Sequence, residues 1–137
     1  MSPTYIKREL EDVLKRTARE FPAVVLTGPR QSGKTTLLKH LFAKGCSYVS
    51  LEPLEVRSAA AADPRSFLEM HQPPVIFDEA QYAPDLLPYI KEHIDKNRVK
   101  RGQYFLTGSQ KLLLLERVTE SLAGRAAMLR LLPLSYR

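Results

Sequence analysis

Cysteine is nearly missing from this chain: Cys46 stands alone, so neither an intramolecular disulfide nor a multi-cysteine metal site can be built, and a reducing compartment is the natural setting. His40, His71 and His93 lack metal-ligand spacing, and no other residues join them in a recognisable ligand set. No apolar run approaches the roughly 20 residues that span a bilayer. The opening MSPTYIKREL has no signal-peptide core, so the expectation is a cytoplasmic chain without a membrane partner. Internal repeats and low-complexity linkers are also lacking. Positive charge is in excess, at net +6, but never forms a block of five or six like residues. Solvated faces explain that spread better than a nucleic-acid patch.

What is present suits one domain of ordinary size, since 137 residues with 44% hydrophobic content are enough for a core. Its most informative stretch is Gly28-Pro29-Arg30-Gln31-Ser32-Gly33-Lys34-Thr35, a complete G-x-x-x-x-G-K-[ST] pattern. The glycines let the backbone curl so that successive N–H groups point at phosphate oxygens. Lys34 supplies a point charge for the β- and γ-phosphates, and Thr35 is the expected Mg²⁺ ligand at the positive end of a helix continuing through Thr36 to Leu41. Composition allows about one chance match per two hundred chains of this length. Ala23-Val24-Val25-Leu26, a buried-type strand, precedes the loop, so strand, loop and helix come in the required order.

The rest of the chain alternates helix and strand. Ile6, Leu10, Val13 and Leu14 recur at helical spacing within 4–20. Strands are expected at 47–51, 75–77, 103–107 and 126–132, and helices at 52–62, 65–71, 84–97, with Pro88 in its first turn, and 112–122. Asp63-Pro64 and Gln72-Pro73-Pro74 punctuate them. Strands separated by helices of this length imply parallel crossovers and a three-layer α/β/α sandwich.

Two stretches refine the chemistry. Asp78 and Glu79 follow the apolar strand Val75-Ile76-Phe77, where the ligand crevice of a parallel sheet lies. Asp78 is placed to hold Mg²⁺ through water and Glu79 to polarise an attacking water, which favours hydrolysis over phosphoryl transfer. The plainer alternative is a helix cap followed by a first-turn acid. Thr107-Gly108-Ser109 ends the next strand. If that strand lies between the loop strand and the acidic strand, Thr107 or Ser109 reaches the γ-phosphate or the water; otherwise it is a polar turn.

The runs LTGPRQSGKTTLL, VIFDEAQ with APDLLPYIK, LTGS and SLAGR…LLPLS together resemble the AAA-type ATPase domain of a broad prokaryotic family of predicted ATPases, and the match covers nearly the whole chain, 1–137. The resemblance implies an additional-strand P-loop fold with a five-stranded parallel sheet in order 5-1-4-3-2, ATP and Mg²⁺ as ligands, and an ATPase core normally followed by a C-terminal domain. This chain ends at Tyr136-Arg137, so the resemblance implies a truncated core with slow turnover. It also implies that residues 28–36 bind the nucleotide, Thr35 and Asp78 the metal, that Glu79, Lys34 and Ser109 (or Thr107) are catalytic, and that Arg125 contacts the γ-phosphate in cis or across a homo-oligomer interface. The other reading of Arg125 is an exposed or acid-paired arginine. Arg30 is a second arginine candidate, Gln81 is placed to orient Glu79 or a water, and Tyr5, Ile6 or Arg8 to meet adenine. No N-K-x-D sequence is present, which favours ATP over GTP. The expected function is ATP hydrolysis that moves a protein partner or C-terminal domain; the alternatives are a nucleotide switch with little turnover and a nucleic-acid-associated module.

Overall fold

The computed structural model describes residues 3–29, 33–42, 44–109 and 111–131. Helix α1 (Pro3–Glu20) leads into β1 (Ala23–Thr27), which is followed by α2 (Lys34–Phe42), β2 (Ser47–Ser50), α3 (Leu54–Ala62) and α4 (Pro64–Met70). Strand β3 (Val75–Asp78), two short 3-10 turns (Ala80–Tyr82 and Pro84–Leu86), α5 (Leu87–Lys96), β4 (Tyr104–Gly108), α6 (Lys111–Leu122) and β5 (Ala126–Arg130) complete the order.

Local chemistry explains the boundaries. Asp63 closes α3, its N–H reaching Ala59 O at 3.3 Å. It then caps α4, its carboxylate accepting from the Ser66 N–H at 3.1 Å and the Ser66 hydroxyl at 2.7 Å, with Pro64 opening the helix where no N–H is needed. Pro88 sits in the first turn of α5. The expected helix over 84–97 is in fact a 3-10 turn, in which the Leu87 N–H donates to Pro84 O, followed by α5.

The five strands form a single parallel sheet in the order β2-β3-β4-β1-β5, which is 5-1-4-3-2 read from the other edge. Successive strand residues face opposite sides, and both faces are covered. Ala23, Val25, Val75, Phe77, Tyr104 and Leu106 pack against Ala60 of α3, Phe67 and Leu68 of α4, Ile90 of α5, and Val118 and Leu122 of α6. Val24, Leu26, Ile76 and Phe105 meet Leu14 of α1 and Leu37 and Leu38 of α2 on the other side. That is the three-layer α/β/α sandwich. Because β4 lies between β1 and β3, its C-terminal residues fall between the end of β1 and the acidic end of β3.

Candidate functional site

The C-terminal ends of β1, β3 and β4 meet at one edge of the sheet. Thr27 pairs with Gly108, and the Gly28 N–H donates to Gly108 O at 3.2 Å, so the chain leaves β1 beside the end of β4. Gly33 has φ +86°, a conformation natural only to glycine, and its carbonyl accepts from the Leu37 N–H at 2.9 Å as α2 starts. Arg30, Gln31 and Ser32 lie outside the described residues; Pro29 is exposed and Thr36, on α2, faces solvent.

Lys34 is buried, at 4% exposure. Its Nζ donates to Pro29 O at 3.3 Å, and among the described residues no carboxylate lies within ion-pair distance. A buried ammonium with one long hydrogen bond among the described residues is costly, and an anion arriving between the loop and the helix N-terminus offsets that cost.

Asp78 collects three hydroxyl donors: Thr35 Oγ1 to Oδ1 at 2.8 Å, Thr107 Oγ1 to the same oxygen, and Tyr48 Oη to Oδ2 at 2.7 Å. Burial opposes its charge, but the hydrogen bonds from Thr107, Tyr48 and Thr35, together with the nearby Lys34 charge, outweigh it and hold the carboxyl below its ordinary range. Among the described residues no group of three or more His, Cys, Asp or Glu converges, so no cage for a stand-alone ion is built here. A hydroxyl beside one ionised carboxylate instead fits a hard cation carried in with phosphates.

Glu79 is 7% exposed and lies in the left-handed region (φ 56°, ψ 53°). Its N–H donates to Thr107 Oγ1 at 3.2 Å. Oε1 accepts from the Ser109 N–H at 3.2 Å, the Ser109 hydroxyl at 3.0 Å and Gln81 Nε2 at 2.8 Å. Both hydroxyl candidates of the 107–109 turn are therefore engaged, Thr107 bridging Asp78 to the Glu79 backbone and Ser109 holding the Glu79 side chain. Gln81 Oε1 is buried without a hydrogen-bond partner among the described residues.

Arg125 is not brought to this site. It precedes β5, and Ala126 pairs with Ala23 at the start of β1, whereas Thr27, at the loop end, pairs with Arg130. Four residue rises separate the two ends by about 13 Å. The guanidinium is instead bound in two-point fashion by Asp95, Nε to Oδ1 at 2.7 Å and Nη2 to Oδ2 at 3.1 Å. Arg125 is therefore acid-paired, the other reading of that residue, at the end of the sheet away from the loop. The arginine of this segment at the loop end of the sheet is Arg130, which sequence reasoning did not single out. The side chains of Tyr5, Ile6 and Arg8 lie outside the described residues. The three histidines each have a different partner: His40 faces Glu11, His71 packs on Phe67, and His93 Nδ1 meets the Tyr104 hydroxyl at 2.9 Å.

A parallel sheet with β4 inserted beside the loop strand, and a glycine loop feeding α2, places this chain among the P-loop NTPases. More narrowly, it belongs to the AAA domain family, whose model matches residues 20–137. Two curated mycobacterial proteins are similar to it: Uncharacterized protein Rv2008c of Mycobacterium tuberculosis and Uncharacterized protein Mb2031c of Mycobacterium bovis. Each is 34% identical over 133 residues, covering 96% of this chain and 30% of the relative. The chain thus spans 30% of the length of these relatives. Among solved structures, the P-loop NTPase domain of the Sigma-54 transport activator from E. coli superposes with a TM-score of 0.61 at 15% identity, covering 98% of this chain and 99% of that one. The Thermotoga maritima RuvB Holliday junction branch migration motor gives 0.56 at 19% identity over 96% of this chain and 45% of its own. At such identities the likeness concerns the fold alone.

Sequence reasoning missed Tyr48. It lies on the edge strand, and its only signal is an alternation, Ser47-Tyr48-Val49-Ser50, that places it on the face of Ser50, the register partner of Asp78.

Proposed function

We propose that this chain binds ATP with Mg²⁺ and hydrolyses it, and that the resulting change in shape is passed to a partner or to a further segment of a longer protein. The observation that supports this most is the convergence of a buried Lys34 with no ion-pair partner among the described residues, the Thr35–Asp78 pair and the tethered Glu79 at one sheet end. In this reading the loop from Gly28 to Gly33 and the first turn of α2 hold the phosphates, and Lys34 neutralises the β- and γ-oxygens. Thr35 and Asp78 hold the cation, which supplies charge neutralisation on the phosphates. Glu79 orients the attacking water and accepts its proton, and Ser109 ties the position of that carboxylate to the end of β4.

Glu79→Gln tests the assignment, because the amide keeps an acceptor for Ser109 and loses the base. Phosphate release in the presence of Mg²⁺ is expected to fall by about 10²–10⁴-fold while ATP affinity is retained; undiminished release would remove Glu79 from the role. A switch with little turnover is a second reading, supported by the three donors that occupy Glu79 Oε1. Single-turnover kinetics separate the two: a switch holds unhydrolysed ATP over many minutes, whereas an ATPase converts it.

A further inference from the structure

The phenol of Tyr48 reaches the carboxylate of Asp78 from the edge strand β2. Ser50 is the register partner of Asp78, and Tyr48 lies two residues earlier on the same face of β2. Two strand residues rise about 6.6 Å, a gap that a tyrosine ring spans, and Oη donates to Asp78 Oδ2 at 2.7 Å. The ring is steadied by the Lys39 ammonium, 3.8 Å from its centroid, on the same helix as Thr35.

The division of donors between the two oxygens matters. Thr35 and Thr107 both donate to Oδ1, and a carboxylate held at one oxygen still turns about its Cβ–Cγ bond, a torsion with broad preferences. A donor on Oδ2 removes that freedom. At 38% exposure the Tyr48 ring adds little to the core, so its hydroxyl is the chemically consequential part.

We propose that Tyr48 is a positioning residue for the cation site: its hydroxyl fixes the plane of the Asp78 carboxylate and so sets the affinity of the site for Mg²⁺ delivered with nucleotide. This rests on the nucleotide-binding reading above and adds to it a determinant outside the loop and the acidic strand end.

Tyr48→Phe removes the hydroxyl and keeps the ring on Lys39. A fluorescent ATP analogue is titrated into wild type and variant in EDTA, and the bound complex is then titrated with Mg²⁺. The expected result is unchanged affinity in EDTA, an unchanged melting temperature in EDTA, and a half-saturating Mg²⁺ concentration raised about tenfold, the scale on which partners of metal-holding groups act. Lys39→Met, which frees the ring and keeps the hydroxyl, is expected to shift the Mg²⁺ curve in the same direction by less. Superimposed Mg²⁺ curves for wild type and Tyr48→Phe overturn the proposal, as does an equal loss of affinity with and without Mg²⁺, which marks a merely structural role. A wild-type protein that binds the analogue but ignores Mg²⁺ overturns the cation reading itself and this proposal with it.

Discussion

Glu79 sits where a side chain would otherwise point the wrong way. In a continuing strand, Asp78 and Glu79 would face opposite sides of the sheet. The left-handed backbone at Glu79 (φ 56°) breaks that alternation and turns both carboxylates to one end. Such a conformation costs a non-glycine residue about 1–3 kcal/mol, and the Thr107, Ser109 and Gln81 hydrogen bonds hold it in place. A different residue, away from the site, contributes to the pH response. His93 accepts or shares a hydrogen bond with the Tyr104 hydroxyl at 2.9 Å, and burial, aided by Lys100 and Lys96, lowers its pKa below 6.5. The unfolded chain therefore binds the proton more readily, so stability is full above 6.5 and falls as pH drops through the window below it. His93→Gln, which keeps an acceptor for Tyr104 and cannot titrate, is expected to flatten the dependence of melting temperature on pH below 6.5. A variant with the wild-type slope contradicts the assignment.

At the scale of elements, β3 joins core and site, because Val75, Ile76 and Phe77 are buried and the strand ends at Asp78, next to Glu79. Phe77, fully buried, lies with its ring centroid 6.2 Å from that of Phe67 and 6.4 Å from that of Tyr104. Phe77→Ala is expected to cost about 3–5 kcal/mol and to lower the melting temperature by roughly 10–20 °C. Met70→Ala, at an exposed position, is the control and is expected to stay within about 0.5 kcal/mol of wild type. Thermal denaturation checks both. Elements whose cause is local were legible in the sequence. The apolar runs of β1, β3 and β4, the amphipathic spacing of α1, the break at Asp63-Pro64 and the first-turn place of Pro88 all appear where the residues call for them. The split of the 84–97 segment was not legible, because it depends on how Ala83 and Leu86 pack under α3 and α4.

Over the whole molecule, the site is an assembly of strand ends, and legibility follows sequence distance. Lys34 and Thr35 come from one contiguous pattern, and Asp78 and Glu79 from another, each with a recognisable composition. Contacts that depend on strand register across the sheet left no such trace: Tyr48 reaches Asp78 from the edge strand, and Arg125 is paired with Asp95 at the opposite end. An arginine in a suggestive segment looks the same in sequence at either end of a strand; the pairing of Ala126 with Ala23 and of Arg130 with Thr27 decides which end it occupies.

One measurement bears on all of this together: a crystal structure of the protein with a non-hydrolysable ATP analogue and Mg²⁺. The expected result is phosphates on the Gly28–Thr35 loop with Lys34 Nζ on the β- and γ-oxygens. Mg²⁺ is expected against Thr35 and facing Asp78, with Tyr48 still on Oδ2 and Arg125 still on Asp95. Nucleotide bound elsewhere, or a cation held without Thr35 and Asp78, would contradict the reading of this sheet end as an ATP site.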